Sequence, residues 1–400
     1  ELGNSLLSKC PDLTTIHFGP SPQILKIPDW FVRGSLSLTY VVIPDSVTEI
    51  GYAAFYETSI TSIDLPNYLK IIDDYAFSKT KLQSITIPEN VNSLGIWSLG
   101  ENPDIHTVVL GNGIDEIPYA FVYNCPSLRN INIPDTVNLI GDWSFASTGL
   151  QTINIPNSVF EIGIASFKET GLTGVIIPNS VRTIGESSFL NLPALDTVII
   201  GNGVKTIGNF AFDDCVSLKY LTLGNNVKTI GYAAFRKNSI VDLVIPDSTT
   251  EIGDYAFYDP FYLEFLTLGK NLETIGGAAF ASITPSPTIT SISIPDRVKS
   301  IGDWAFSGLK NVENLHLGFS VESIGRSAFN HIGISTLSVP KSVATIGLNA
   351  FYNATKLVKV TFLNESIVLN ENAFQRSNNI AQVCRIDFSC TVHPRPVNVG

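Results

Sequence analysis

The chain has 400 residues, 44% of them hydrophobic and only 15% charged, a composition that excludes a disordered chain. No apolar run approaches the roughly 18 residues of a membrane span, and nothing at Glu1 reads as a targeting segment. The net charge of −11 argues against nucleic acid and anionic membranes as partners, because both need a basic footprint.

From its first residues the chain repeats. Leu2 to Cys10 aligns without a gap on Ile207 to Cys215, so the chain is expected to begin inside a repeat, with more repeats or a cap upstream. From Leu13 to Val383, 17 strand-like units follow at about 23-residue spacing. Each opens with L-x-x-I-x-I, as in Leu82-Gln83-Ser84-Ile85-Thr86-Ile87. The last aliphatics alternate with polar residues, the period of a strand with one buried face. A Pro or Gly ends it (Pro88, Pro156, Gly224), and an Asx turn such as Pro44-Asp45-Ser46 follows, its side chains expected to bond back to the backbone.

V-x-x-I-G comes next, a second short extended stretch. Its Gly (Gly51, Gly163, Gly231, Gly276) is expected to hold a backbone conformation closed to other residues, although Asp73 and Pro118 replace it in two units. An Ala-Phe pair then enters a single helical or 3₁₀ turn. Its aromatic ladder runs from Phe55 through Phe77, Leu99, Phe121 and Phe145 to Phe374 and should stack as a buried spine. The widest gap, Phe280 to Phe306, accommodates a Pro/Ser-rich surface loop over 281–288.

The unit L-x-x-I-x-I-P-x-S-V-x-x-I-G-x-x-A-F resembles the BspA-like class of leucine-rich repeats, and it does so along nearly the whole chain. That resemblance implies a β-rich solenoid: a right-handed leucine-rich-repeat superhelix with a parallel concave sheet. It also implies a secreted or cell-surface protein concerned with adhesion to matrix proteins or other cells, and it brings no catalytic residues and no cofactor. Residues 1–382 read as the solenoid. Residues 383–400, where no Ile-Gly-Ala-Phe follows the strand, read as a C-terminal cap and tail.

Chemistry-bearing residues are sparse. His17, His106, His316, His331 and His393 are scattered, so neither a metal cluster nor a His-based triad is expected, and the chain does not read as an enzyme. Cys10, Cys125 and Cys215 share one repeat position and read as buried thiols; Cys384 and Cys390 are either a capping disulfide or free.

Function is therefore sought in the outward columns. The second and third x of L-x-x-I-x-I should face out of the concave sheet, and most are small and neutral. Ile176, Ile199, Tyr220, Asp242 and Phe265 differ: they are either a binding centre for a protein ligand or sheet-forming residues tolerated on an exposed face. A second candidate, for an anionic partner, is the flank bearing Arg182, Lys205 and Lys228, whose stacked like charges repel unless solvent screens them. The leading expectation is an extracellular binding module, an adhesin or receptor ectodomain. A structural or self-assembling surface protein is the alternative.

Overall fold

A computed structural model describes residues 2–19, 23–284 and 287–384, and the backbone of 390–392. The chain divides into two compact units, Glu1–Leu195 and Asp196–Gly400. Each is a parallel β-solenoid. The V-x-x-I strands number eight in each unit, giving about 16 turns where the first-strand pattern suggests 17.

In the first unit these strands stack as Lys26–Ile27, Glu49–Ile50, Ile71–Ile72 and Ser93–Leu94, then as Glu116–Ile117, Leu139–Ile140, Glu161–Ile162 and Thr183–Ile184. In the second unit they run without a break from Thr206–Ile207 to Val368–Leu369. The L-x-x-I-x-I strands form their own short ladders, such as Ser84–Ile87 on Thr107–Leu110. All pair in parallel, one repeat apart, until the end. There Cys390–Val392 turns back antiparallel on Gln382–Cys384 and places Cys390 opposite Cys384. Cys384 is disulfide-bonded, whereas the Cys390 side chain lies outside the described residues.

The buried spine follows from the repeat. In the first unit Phe145, Phe167 and Phe189 stack with centroids 5.0 and 5.1 Å apart and planes within 7°. In the second unit the stack runs from Phe212–Phe235 (5.1 Å) to Phe351–Phe374 (5.2 Å). Offset stacking at this spacing combines ring attraction with full burial. The long turn between Phe280 and Phe306 does not disturb it: those rings are still 5.2 Å apart. Ile283 and Thr284 are anchored by the buried Asp259, whose carboxylate accepts from their N–H groups, and residues 285–286 of the expected loop lie outside the described residues.

Several expectations need correction. The first is Phe121. Along the ladder, each rung's N–H donates to the residue just before the next rung, as Phe55 does to Ala76 and Phe77 to Ser98. Leu99 donates to Phe121 and Val122 donates to Ser144, so Val122 is the rung, and Phe121 fills the place that Ala holds elsewhere. Val32 and Phe31 show the same exchange. Both turns carry Pro (Pro118, Pro28) where most others carry Gly, and Pro lacks the N–H with which Gly51 bonds Ile27.

The second is the repeat glycine. Gly51, Gly163, Gly231 and Gly276 do not have positive φ; among the described glycines only Gly34 and Gly308 do. Neighbouring turns approach too closely there instead. A Cβ on Gly231 would sit 2.8 Å from the Asn209 backbone N, and on Gly163 2.8 Å from that of Asp142.

The third is the helical turn. Among the described residues there is no helix. The Ala-Phe stretch consists of β-turns, with Ala54 N–H on the Gly51 carbonyl and Tyr56 N–H on that of Ala53. The left-handed residues are mostly non-glycine, two before and two after most rungs: Ala53 and Glu57, Tyr75 and Lys79, Ala233 and Lys237. A left-handed residue every fourth position interrupts the right-handed run that a helix needs. Cross-turn bonds hold the strain, since Ala53, Phe55 and Glu57 each donate to the next turn.

Several Asx side chains bond to the adjacent turn, whereas Asn364 bonds back to its own, accepting from Ser366 N–H at 2.9 Å. Asp142 Oδ1 accepts from Ile164 N–H at 2.7 Å, and Asn209 Oδ1 from that of Tyr232 at 2.9 Å. At the other corner Asp247 accepts from Lys270 N–H, and Thr136 Oγ1 donates to the Ile114 carbonyl.

Candidate functional site

The L-x-x-I-x-I strands present the expected columns. In Ser84–Ile87, Ser84 and Thr86 are exposed while Ile85 and Ile87 are buried. In the second unit Tyr220–Thr222, Asp242–Val244 and Phe265–Thr267 each expose their two outer residues. Large apolar groups stand free on this face: Tyr220 is 54% exposed, Val244 61% and Phe265 65%. A monomer seldom leaves several such groups together unless something covers them.

The register defines the grouping. Asp242 lies directly opposite Phe265, and Val244 opposite Thr267. Tyr220 lies opposite Thr197, so Ile199, opposite Thr222, is diagonal to it. Tyr220, Asp242 and Phe265 thus share one column, with Ile199 and Val244 in the next. Val244 belongs to the patch yet is unremarkable in sequence, because a valine in a strand signals only β-propensity. Lys219 Nζ sits 5.2 Å over the Tyr220 ring, a cation–π contact on one face of the ring. Ile176, 65% exposed, lies on the corresponding strand face of the first unit.

On the flank, Lys228 N–H donates to the Lys205 carbonyl at 2.8 Å, so these two lysines occupy adjacent turns of the second unit. Arg182 belongs to the first unit. All three are exposed, and among the described residues none is in an ion pair.

The histidines are not brought together. His17 tilts against Tyr40 at 5.8 Å, His316 against Phe319 and His331 against Tyr352. His393 lies outside the described residues. Among the described residues no group of three His, Cys, Asp or Glu is placed to hold a metal ion, and no helix is long and apolar enough to cross a membrane.

Cys125 and Cys215 are buried thiols, and Cys10 is half-buried. Burial pushes the Cys125 thiol up to about 12, and its Sγ donates to the Leu99 carbonyl at 3.3 Å. The slot therefore buries the thiol while giving it one carbonyl partner. In equivalent places Thr148 caps Phe145, and Asn102 caps both Phe77 and Leu99.

Among solved structures, a leucine-rich repeat protein from Bacteroides ovatus has 22% identity and a TM-score of 0.62, covering 92% of this chain and 86% of that one. A leucine-rich cell surface protein from Faecalibacterium prausnitzii is 21% identical with a TM-score of 0.42, over 76% and 87% of the two chains. The pneumococcal vaccine antigen PcpA is 15% identical with a TM-score of 0.40, over 77% and 80%. No match is found among curated proteins. The BspA type leucine rich repeat region matches residues 1–126, 48–170, 116–235, 160–286 and 284–392. With the repeat, the parallel strands and the rung spacing all in agreement, this chain belongs to the BspA type leucine-rich-repeat family.

Proposed function

We propose that the chain is a non-catalytic, extracellular protein-binding module, an adhesin or receptor ectodomain, that takes its ligand on the L-x-x-I-x-I face of the second unit. The exposed column Tyr220, Asp242 and Phe265, with Ile199 and Val244 beside it, carries this reading. Rigid strands lose little entropy when a ligand docks, and the two aromatics offer large contact areas with few rotors. Asp242 orients the ligand by accepting from a cationic or hydroxyl-bearing group. Ile176 extends the same kind of face in the first unit. Family membership supports the extracellular location, and leucine-rich repeats generally bind proteins. The cap expected over residues 383–400 lies largely outside the described residues.

The test is surface plasmon resonance against a panel of purified extracellular-matrix proteins. Tyr220→Ala and Phe265→Ala should each weaken a measured interaction by ~1–3 kcal/mol, with thermal stability unchanged. Ser338→Ala, at the exposed third-x place of Thr336–Val339, should be neutral. Binding untouched by both aromatic variants sinks the patch and moves attention to Arg182, Lys205 and Lys228.

A further inference from the structure

The first unit carries a groove of about 480 Å³ along the V-x-x-I-G edge, running from Ile72 to Gly163. Its apolar part is made by Leu94, Ile96, Tyr119 and Leu139, with Ile96 39% and Tyr119 43% exposed. Its walls carry Asp73, Asp74, Glu116, Asp142 and Glu161, and no Lys, Arg or His lines it. Elsewhere the fold neutralises acids on the same edge: Glu49 is paired with Lys26 and Glu273 with Lys299. Among the described residues Glu116 and Glu161 are in no such pair. In the second unit the strand position of Glu116 and Glu161 holds mainly Thr or Ser, as at Thr206, Thr229, Thr274 and Ser300, so these two glutamates are not dictated by the repeat.

Burial holds the Asp74 carboxyl above its ordinary value, with Asp73 adding to the effect. Asp74 and Asp142 still accept N–H bonds from Ile96 and Ile164, so their charges are fixed in place at the groove. The acids are spread along the groove and not gathered on one point, which disfavours a single metal ion. Glu116, Leu139 and Glu161 stand opposite one another on successive strands. The two glutamates are thus two strand spacings apart, roughly 10 Å.

We propose that this groove docks an extended, lysine- or arginine-rich segment of a partner protein, whose cations meet Glu116 and Glu161 while its aliphatic stems lie on Ile96, Tyr119 and Leu139. An extended polyproline-type segment fits the spacing: with three residues per turn and ~3.1 Å rise, cations at i and i+3 share one face about 9 Å apart. Arginine and lysine stems cover apolar surface while their heads reach the carboxylates. This surface is independent of the second-unit patch.

The probe is a fluorescein-labelled peptide of five Lys-Pro-Pro repeats, read by fluorescence anisotropy at low salt. Glu116→Gln with Glu161→Gln should weaken binding by about tenfold or more, as should Ile96→Lys, which places a cation in the groove. The matched pair Glu251→Gln and Glu322→Gln removes the same charge from the second unit and should change binding less than about twofold. A peptide of equal charge with Lys at every second residue should bind at least about fivefold more weakly. Equal losses in the two double variants would mean diffuse attraction to an acidic protein and overturn the proposal. So would undetectable peptide binding, or stoichiometric displacement of the peptide by calcium.

Discussion

Two stretches of the first unit solve the same packing problem differently. From Phe145 to Phe189 every turn places a small residue, then a ring on the rung: Ser144-Phe145, Ser166-Phe167, Ser188-Phe189. Around Pro118 the order inverts, with Phe121 in the small residue's place and Val122 on the rung. Both residues are fully buried. The repeat therefore keeps both neighbouring places buried without fixing which of them holds the ring. The bond that Pro118 cannot make is the local cost, and the same inversion at Pro28-Asp29-Trp30-Phe31-Val32 ties it to proline.

The comparison can be broken first at the rungs. Phe167→Ala removes a ring stacked on both sides and should cost ~3–5 kcal/mol, as should Phe212→Ala in the second unit. Val122→Ala should cost only ~2 kcal/mol, because fewer methyl groups leave a smaller cavity. Denaturant unfolding checks the ranking, and equal losses would show that Val122 is not a rung. Hydrogen exchange should place the damage on adjacent turns, since coupling in a solenoid is between neighbours.

A finer test uses two glycines side by side. A Cβ on Gly276 would meet the Asp254 backbone N at 2.5 Å, whereas on Gly277 the nearest atom is the Asp303 carbonyl at 3.4 Å. Gly276→Ala should destabilise by ~1–3 kcal/mol through overpacking, and Gly277→Ala by less than ~0.5 kcal/mol. Similar costs at both positions would restore a conformational role for the repeat glycine.

The smallest effect concerns the thiols. With its pKa pushed up to about 12 and its side chain buried, Cys125 should resist alkylation in the native protein at about pH 8, while half-buried Cys10 reacts. Rapid labelling of Cys125 without denaturant would mean that its turn opens.

These contrasts show what the amino-acid order reveals. The period exposes the strands, the Asx corners and most of the Phe ladder, because each recurs at fixed phase. Phe121 misleads because its ring is one place out of phase with the rung, and only the bond from Leu99 reveals that. A glycine signals that a side chain is unwelcome, but not whether φ or a neighbouring turn forbids it. Left-handed residues at Tyr75 or Trp97 carry no glycine to announce them. The exposed columns follow from strand alternation, so Tyr220, Asp242 and Phe265 are legible as outward-facing. Val244 is outward-facing by the same alternation, but only its 61% exposure marks it as part of the patch. The acidic groove escapes notice because Asp73 and Glu161 are most of four repeats apart in the chain.

The central claim is that the second unit's exposed strand face binds protein. Hydrogen exchange read by mass spectrometry, with and without a saturating matrix protein that binds the chain, tests it most directly. The account predicts ligand-induced protection in Tyr220–Thr222, Asp242–Val244 and Phe265–Thr267, and none in Thr336–Val339. Protection confined to other strands, with these three unchanged, would contradict it.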